Sequence, residues 1–178
     1  MRKQKGFSLI ELLIVVAIIL IIAAIAIPNL MRSKQAANQA AAASNVRTLI
    51  GAETTFSTTW PTAGYAGGLA QLGPGAAVCG VPSSTNGCMI DSVLGCAAGA
   101  PGGFCPKDNY NYAITGIPAA APFTDFLIFA TPSGANLGLT DYCSSSDGVV
   151  RFKASAAPPP SPIVNTVATC TGAPFQPL

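Results

Sequence analysis

Residues 7–27 read FSLIELLIVVAIILIIAAIAI, and this stretch decides how the rest of the chain is organised. Only Ser8 and Glu11 interrupt it, and the 16 residues from Leu12 to Ile27 are all apolar. As an α-helix that rises about 1.5 Å per residue, these 21 residues extend about 31 Å, close to the hydrocarbon thickness of a bilayer. Residues 7–27 are therefore predicted to form a membrane helix.

Basic residues flank this helix on both sides. Arg2, Lys3 and Lys5 precede it, whereas Arg32 and Lys34 follow it. The more basic flank of a membrane helix stays in the cytoplasm. The N-terminus is therefore expected inside the cell, and the bulk of the chain is expected to be exported.

Two ordinary explanations of such a segment leave Glu11 unexplained. A secretory signal peptide has an apolar stretch of about 7–15 residues before a small-residue cleavage site, whereas this run is longer and leads into Ile27-Pro28. A plain single-pass anchor does not explain a carboxylate either, because placing one at the bilayer centre costs about 2.5–3.5 kcal/mol. Cleavage between Gly6 and Phe7 would create an amino group four residues before Glu11. That amine is a cationic partner for the carboxylate.

The sequence around this point resembles the type IV prepilin signature. The resemblance is carried by GFSLIELLIVVAII at 6–19 and by AAIAIPN at 23–29. It implies that a membrane aspartyl peptidase cuts after Gly6, that the new Phe7 amine is N-methylated, and that subunits bundle their apolar helices in a filament core. It also implies that Glu11 neutralises the Phe7 amine of a neighbouring subunit. An unpaired carboxylate in a dry bundle is costly, so in-register docking would be favoured.

Two positions bear on the continuity of this helix. Leu20 stands where many members of the family carry a glycine, and leucine is the better helix former by about 0.6–1 kcal/mol. Pro28 matches the family's proline. Because it lacks a backbone donor, it is expected to kink the helix rather than end it.

The helix is expected to continue well beyond the apolar segment. Residues 35–43 are mostly alanine, the best helix former, and the apolar residues that follow have the spacing of one buried helical face. The residues on this face are Val46, Leu49, Ile50, Phe56 and Trp60. We predict a single helix over residues 7–59, about 80 Å long. Glu53 lies among these positions and is interpreted as a solvated flank rather than a catalytic acid.

Glycine, proline and cysteine dominate residues 61–105, which predicts irregular loops tied by disulfides. All the cysteines follow the membrane segment, and an even number of cysteines in an exported chain indicates disulfides. The rival interpretation, a zinc site, lacks any Cys-x-x-Cys pair. Short loop closure favours two of the expected pairs, and resemblance to the C-terminal disulfide loop of many pilins favours the third. The expected pairs are Cys79–Cys88, Cys96–Cys105 and, by resemblance, Cys143–Cys170.

Residues 109–178 are predicted to form a sheet and a C-terminal disulfide loop. Alternation between turn signals indicates strands at 109–115, 123–131 and 149–154. Residues 163–168 would add an edge strand. By resemblance to the pilin family, this antiparallel sheet would lie on the helix. The expected fold class is therefore α+β.

Composition excludes several function classes. Apolar residues make up 50% of the chain and charged residues 9%, and there is no histidine. The missing histidine excludes Ser-His-Asp and Cys-His catalysis and removes the commonest metal ligand. Asp141 and Asp147 are interpreted as turn residues, because two carboxylates do not supply the roughly 6–8 oxygens of a calcium site. No cofactor, metal or catalytic site is expected, and no basic cluster suggests a nucleic-acid surface.

The chain is thus predicted to consist of a leader (1–6), a long helix (7–59) and a globular head (60–178). We interpret it as a structural subunit of a type IV pilus-like surface filament. It would sit in the inner membrane before assembly and would polymerise with itself, with prepilin peptidase and the pilus assembly machinery as further partners. A pseudopilin of a type II secretion system shares this N-terminus and is the alternative; the long loop region and the large head favour the pilus. Adhesion, twitching motility, DNA uptake and electron transfer are all open as tasks of the filament.

Overall fold

The computed structural model describes residues 8–75, 79–96, 104–155 and 166–178. The chain divides into two compact units, Met1–Lys34 and Gln35–Leu178. The helices of the described residues are α1 (Leu9–Thr59), α2 (Leu69–Leu72) and α3 (Val167–Thr171). The strands are β1 (Cys105–Lys107), β2 (Tyr110–Ile117), β3 (Asp125–Pro132), β4 (Thr140–Ser145), β5 (Arg151–Ala154) and β6 (Gln176–Pro177).

Helix α1 is a single element of 51 residues that runs without a break through Leu20 and Pro28. The sequence predicts that the helix continues past Pro28, and it does. It ends at Thr59, and Trp60 still donates its backbone N–H to Phe56 O at 2.9 Å. Because a residue before proline is disfavoured in the helical conformation, Pro61 explains why the helix goes no further.

The six strands form one antiparallel sheet in chain order, β1 to β6, with each strand paired to the next. The longest pairing joins β2 to β3, from Tyr110 opposite Pro132 to Ile117 opposite Asp125. This confirms the α+β fold with an antiparallel sheet in the second half of the chain. The bounds of strands β2, β3 and β5 lie within two residues of the predicted ones.

Strand β4 corrects the interpretation of Asp141 as a turn residue. Asp141 is fully buried in the strand, and its Oδ1 accepts a hydrogen bond of 2.8 Å from Thr131 Oγ1 on β3. The neighbouring strand therefore supplies the partner that a polar side chain needs inside a protein. Asp147, by contrast, lies in the turn that follows β4.

The predicted edge strand at 163–168 is wrong where the structure describes it. Residues 163–165 lie outside the described residues, and Val167 begins α3. Thr166 caps this helix, since its Oγ1 accepts a hydrogen bond of 3.2 Å from Thr169 N.

The core of the second unit lies between α1 and the sheet. Val46, Leu49 and Phe56 of α1 are fully buried in one apolar cluster with Tyr110 and Ile128 of the sheet. Two further residues of the predicted face, Ile50 and Trp60, pack at its margin and are partly buried. The predicted stripe is confirmed, but Glu53 on the same face is 0% exposed, so its interpretation as a solvated flank is wrong.

Three disulfides tie the second unit together, in the pairs that the sequence analysis expects. The bonded pairs, with their Cα–Cα distances, are Cys79–Cys88 (5.7 Å), Cys96–Cys105 (5.6 Å) and Cys143–Cys170 (5.9 Å). The last joins β4 to α3. In the described part of residues 61–105, which omits 76–78 and 97–103, the only helix is α2.

Candidate functional site

The N-terminal half of α1 exposes an apolar surface. Every Leu, Ile, Val and Met side chain from Leu9 to Met31 is between 45% and 78% exposed. Removing one such side chain from water contributes about 1.5–3 kcal/mol, so this surface is strongly unfavourable in water. A helix that is apolar all round belongs in a membrane or in a bundle of other helices.

This helix also has the length for such an environment. Among the described residues, α1 is the one helix long and apolar enough to cross a membrane. Arg32 and Lys34 are exposed and mark the point where the apolar surface ends. A bilayer can therefore cover the surface up to this point.

Glu11 is the only charged residue between Ser8 and Met31, and it lies in the first turn of α1. A carboxylate in the first turn is stabilised by the helix dipole by about 0.3–1 kcal/mol. Placing it in the centre of a bilayer costs about 2.5–3.5 kcal/mol, and pairing is the larger effect that could offset this. The dipole alone therefore does not account for a carboxylate on an apolar surface.

The other predicted site residues divide into two groups. Gly6 and Phe7, the predicted cleavage and methylation positions, lie outside the described residues. Pro28 lies inside α1, and beyond it Ser33 Oγ donates to Asn29 O at 3.0 Å. The structure thus places Glu11 and Pro28 on one helix.

Sequence reasoning missed three amide side chains that attach the second half of α1 to the β3–β4 loop and to β2 with the turn before it. Gln35 Nε2 donates to Asn136 O at 3.1 Å, and Asn38 Nδ2 donates to Leu137 O at 2.7 Å. Asn45 Nδ2 donates to Asp108 Oδ2 and to Tyr112 Oη, each at 3.0 Å. The available signal was their helical spacing in an alanine-rich stretch.

The head offers little for chemistry in the residues that the structure describes. No group of three or more His, Cys, Asp and Glu could hold a metal ion there. A pocket of about 480 Å³ is lined by Thr115, Gly116, Ile117, Ala119, Asp125, Thr166 and Val167. Asp125 Oδ1 already accepts hydrogen bonds from Phe126 N at 2.7 Å and Ser146 N at 3.2 Å. This carboxylate therefore organises the backbone of its own fold.

The comparison with protein families finds a match at the N-terminus of the chain. The family described as "Prokaryotic N-terminal methylation motif" matches residues 1–27. The chain is 63% identical over 38 residues to the "Type IV wide pilus major component PilA4" of Thermus thermophilus, which covers 21% of this chain and 29% of that protein. It is 48% identical over 54 residues to the "Type IV major pilin protein PilA" of Myxococcus xanthus, which covers 30% of this chain and 24% of that protein.

A third relative belongs to a secretion system. The chain is 42% identical over 45 residues to the "Type II secretion system core protein G" of Aeromonas hydrophila, covering 25% of this chain and 32% of that protein. The matches thus span about a quarter to a third of each relative. No solved structure matches the chain.

The N-terminal motif, the exposed apolar helix and the disulfide-tied antiparallel sheet occur here in one chain. Together with the matched relatives, they support a type IV pilin-like protein.

Proposed function

We propose that this chain is a structural subunit of a type IV pilus-like surface filament and that it polymerises with other copies of itself through α1. The observation that carries the proposal is the helical surface from Leu9 to Met31, where all Leu, Ile, Val and Met side chains are at least 45% exposed. A bilayer and a bundle of such helices both remove this surface from water. A subunit can therefore pass from one to the other without exposing it.

Glu11 would fix the axial register between neighbouring helices, which the apolar surface alone does not set. Apolar packing alone is non-directional, so identical helices could bundle at many axial offsets. Cleavage after Gly6 would create a new Phe7 amine, N-methylated in the proposal, four residues before Glu11 of the same chain. In a dry bundle this carboxylate favours the offset at which it meets the amine of a neighbouring copy.

The proposal divides the chain by task. Residues 1–6 are a leader removed by a prepilin peptidase, residues 7–59 form the assembly helix, and residues 60–178 form the head. The chain would first span the inner membrane once and then move to the cell surface with the assembly machinery. The three disulfides of the head suit an oxidising exterior. The proposal gives the head no catalytic task.

A pseudopilin of a type II secretion system is the second candidate. It is favoured by the similarity to core protein G, which extends over 45 residues. It shares the same N-terminal chemistry and would build a short periplasmic filament.

Electron microscopy of cells that produce the chain, with antibody against the head, separates the two candidates. A pilus subunit predicts labelled surface filaments that vanish when the gene is deleted. A pseudopilin predicts label confined to the envelope and loss of protein secretion on deletion. A chain that stays monomeric in the membrane, with neither phenotype, would contradict both.

A further inference from the structure

Glu53 is a carboxylate buried on an otherwise apolar helical face. Its side chain is 0% exposed and shares this face with Leu49 and Phe56. Oε2 accepts a hydrogen bond of 2.8 Å from the backbone N–H of Ala66, while Oε1 has no partner among the described residues. An ionised carboxylate with a single hydrogen bond is costly in such a place, and the neutral acid is favoured.

The bond to Ala66 holds the segment that leaves α1. Ala66 is itself 0% exposed, and its neighbours are fixed on either side. Tyr65 N donates to Phe123 O at 3.0 Å, and Gly67 N donates to Gln71 Oε1 at 2.8 Å. Glu53 therefore links α1 to the start of the loop region through one side-chain hydrogen bond.

Burial raises the pKa of Glu53 to about 8, and the N–H of Ala66 lowers it only in part. In the part of α1 that belongs to the second unit, Arg47 is the other charged residue, and it is exposed. On the facing segment stands Tyr65, whose ring packs against Phe126 with the centroids 4.8 Å apart. Neither is a cause of the shift.

The titratable side chains of the sheet that pack in the cluster with α1 include the tyrosines Tyr110 and Tyr112. Burial raises the pKa of Tyr110 above its ordinary value and that of Tyr112 to about 12, so both stay neutral where Glu53 titrates. The three basic side chains of the sheet are all engaged in ion pairs. These pairs are Lys107–Asp91, Arg151–Asp147 and Lys153–Asp141.

We propose that Glu53 is a buried proton-binding site that holds the segment around Ala66 on α1 while it is protonated and releases this segment when it ionises. Ionisation leaves a charge inside the apolar cluster, and moving the segment aside is the way to hydrate it. The site would make the loop region of the head respond to alkaline surroundings. This inference does not depend on filament assembly.

The direction of the pH dependence follows from the two pKa values. The folded chain keeps the proton up to pH about 8, whereas the ordinary value for the unfolded chain is 4.5. Between these values the folded state binds a proton that the unfolded state has lost, so the unfolding constant rises by up to about tenfold per pH unit. Glu53→Gln and Glu53→Met cannot ionise and should lack this rise.

The first test is urea unfolding of the full chain in detergent micelles, with the disulfides intact, from pH about 5 to about 8. Across this range the ratio of the wild-type unfolding constant to that of Glu53→Gln should rise by roughly a hundredfold or more. Asp108→Asn, which changes an exposed carboxylate, should keep the wild-type slope. Glu53→Met serves if the glutamine variant folds poorly. Parallel profiles for wild type and either Glu53 variant would overturn the proposal.

The second test locates the change. Hydrogen exchange at the Ala66 amide should be protected at neutral pH in the wild type and should lose protection above pH about 8, beyond the intrinsic acceleration. In the Glu53 variants its protection factor should not change with pH. A wild-type protection factor that stays constant through this range would refute the release of the segment.

Discussion

Gly73 and Gly95 lie in backbone contact. A Cβ on Gly73 would stand 2.6 Å from Gly95 O, and a Cβ on Gly95 would stand 2.5 Å from Gly73 Cα. Gly73 follows α2, and its carbonyl accepts a hydrogen bond of 3.2 Å from the backbone N–H of Cys88. Gly95 directly precedes Cys96. The end of α2 and the residue before the Cys96–Cys105 loop therefore meet at a point where neither backbone has room for a methyl group.

Alanine at either glycine should destabilise the head. Gly73→Ala or Gly95→Ala forces the two backbones apart, and we expect it to lower the free energy of unfolding by about 1–3 kcal/mol. Gly51→Ala is the matched control, because a Cβ there meets nothing within 4 Å. In the middle of α1 it should raise stability by about 0.5–1 kcal/mol. Urea unfolding measures all three, and equal effects at Gly51 and Gly73 would contradict the contact.

The disulfides should differ in their contribution to stability. Cys143–Cys170 closes 27 residues and both its cysteines are fully buried, whereas Cys79–Cys88 closes 9. Restriction of the unfolded chain grows with loop length. Replacing Cys143 and Cys170 by alanine should therefore lower the free energy of unfolding by about 2–5 kcal/mol. Replacing Cys79 and Cys88 should lower it by less. Thermal melting of the two double variants tests this order, and the reverse order would argue against it.

Local signals predict much of this fold. The apolar run, the alanines of 35–43 and Pro61 act within a few residues, and α1 follows from them. Turn signals likewise bracket β2 and β3. The N-terminal signature also rests on neighbouring residues, so Glu11 could be chosen from sequence alone.

Features that depend on distant partners could not be predicted. Asp141 is buried in β4, where the Thr131 hydroxyl on the neighbouring strand donates a hydrogen bond of 2.8 Å to its carboxylate. Glu53 is buried because a backbone N–H 13 residues later reaches it. Read locally, both carboxylates indicate solvent or a turn, and only the folded chain supplies the partner.

The leader should be removed at Gly6. Because glycine has no side chain, a peptidase can approach its carbonyl closely, and a branched side chain there would block the approach. Gly6→Val should leave a precursor that is heavier by the six leader residues in mass spectrometry of the membrane fraction. Gly51→Val tests for a general effect of the substitution. A Gly6→Val chain of normal mature mass would contradict the assigned cleavage point.

Glu11 should act through its charge. Glu11→Gln keeps the shape of the side chain but cannot neutralise a buried amine, so the variant should insert and be cleaved normally and then assemble poorly. Glu11→Asp keeps the charge but reaches one methylene less, so it should be intermediate. An anchor without an assembly role predicts the opposite, because removing a carboxylate makes membrane insertion easier by up to about 2.5–3.5 kcal/mol.

The most direct test of assembly through α1 is the yield of sheared surface filament per cell from Glu11→Gln, normalised to mature subunit in the membrane. If Glu11 pairs with the Phe7 amine of a neighbouring copy, the membrane pool should be unchanged and filament should be lost or greatly reduced. Wild-type filament yield from Glu11→Gln would contradict pairing between Glu11 and the Phe7 amine of a neighbouring copy.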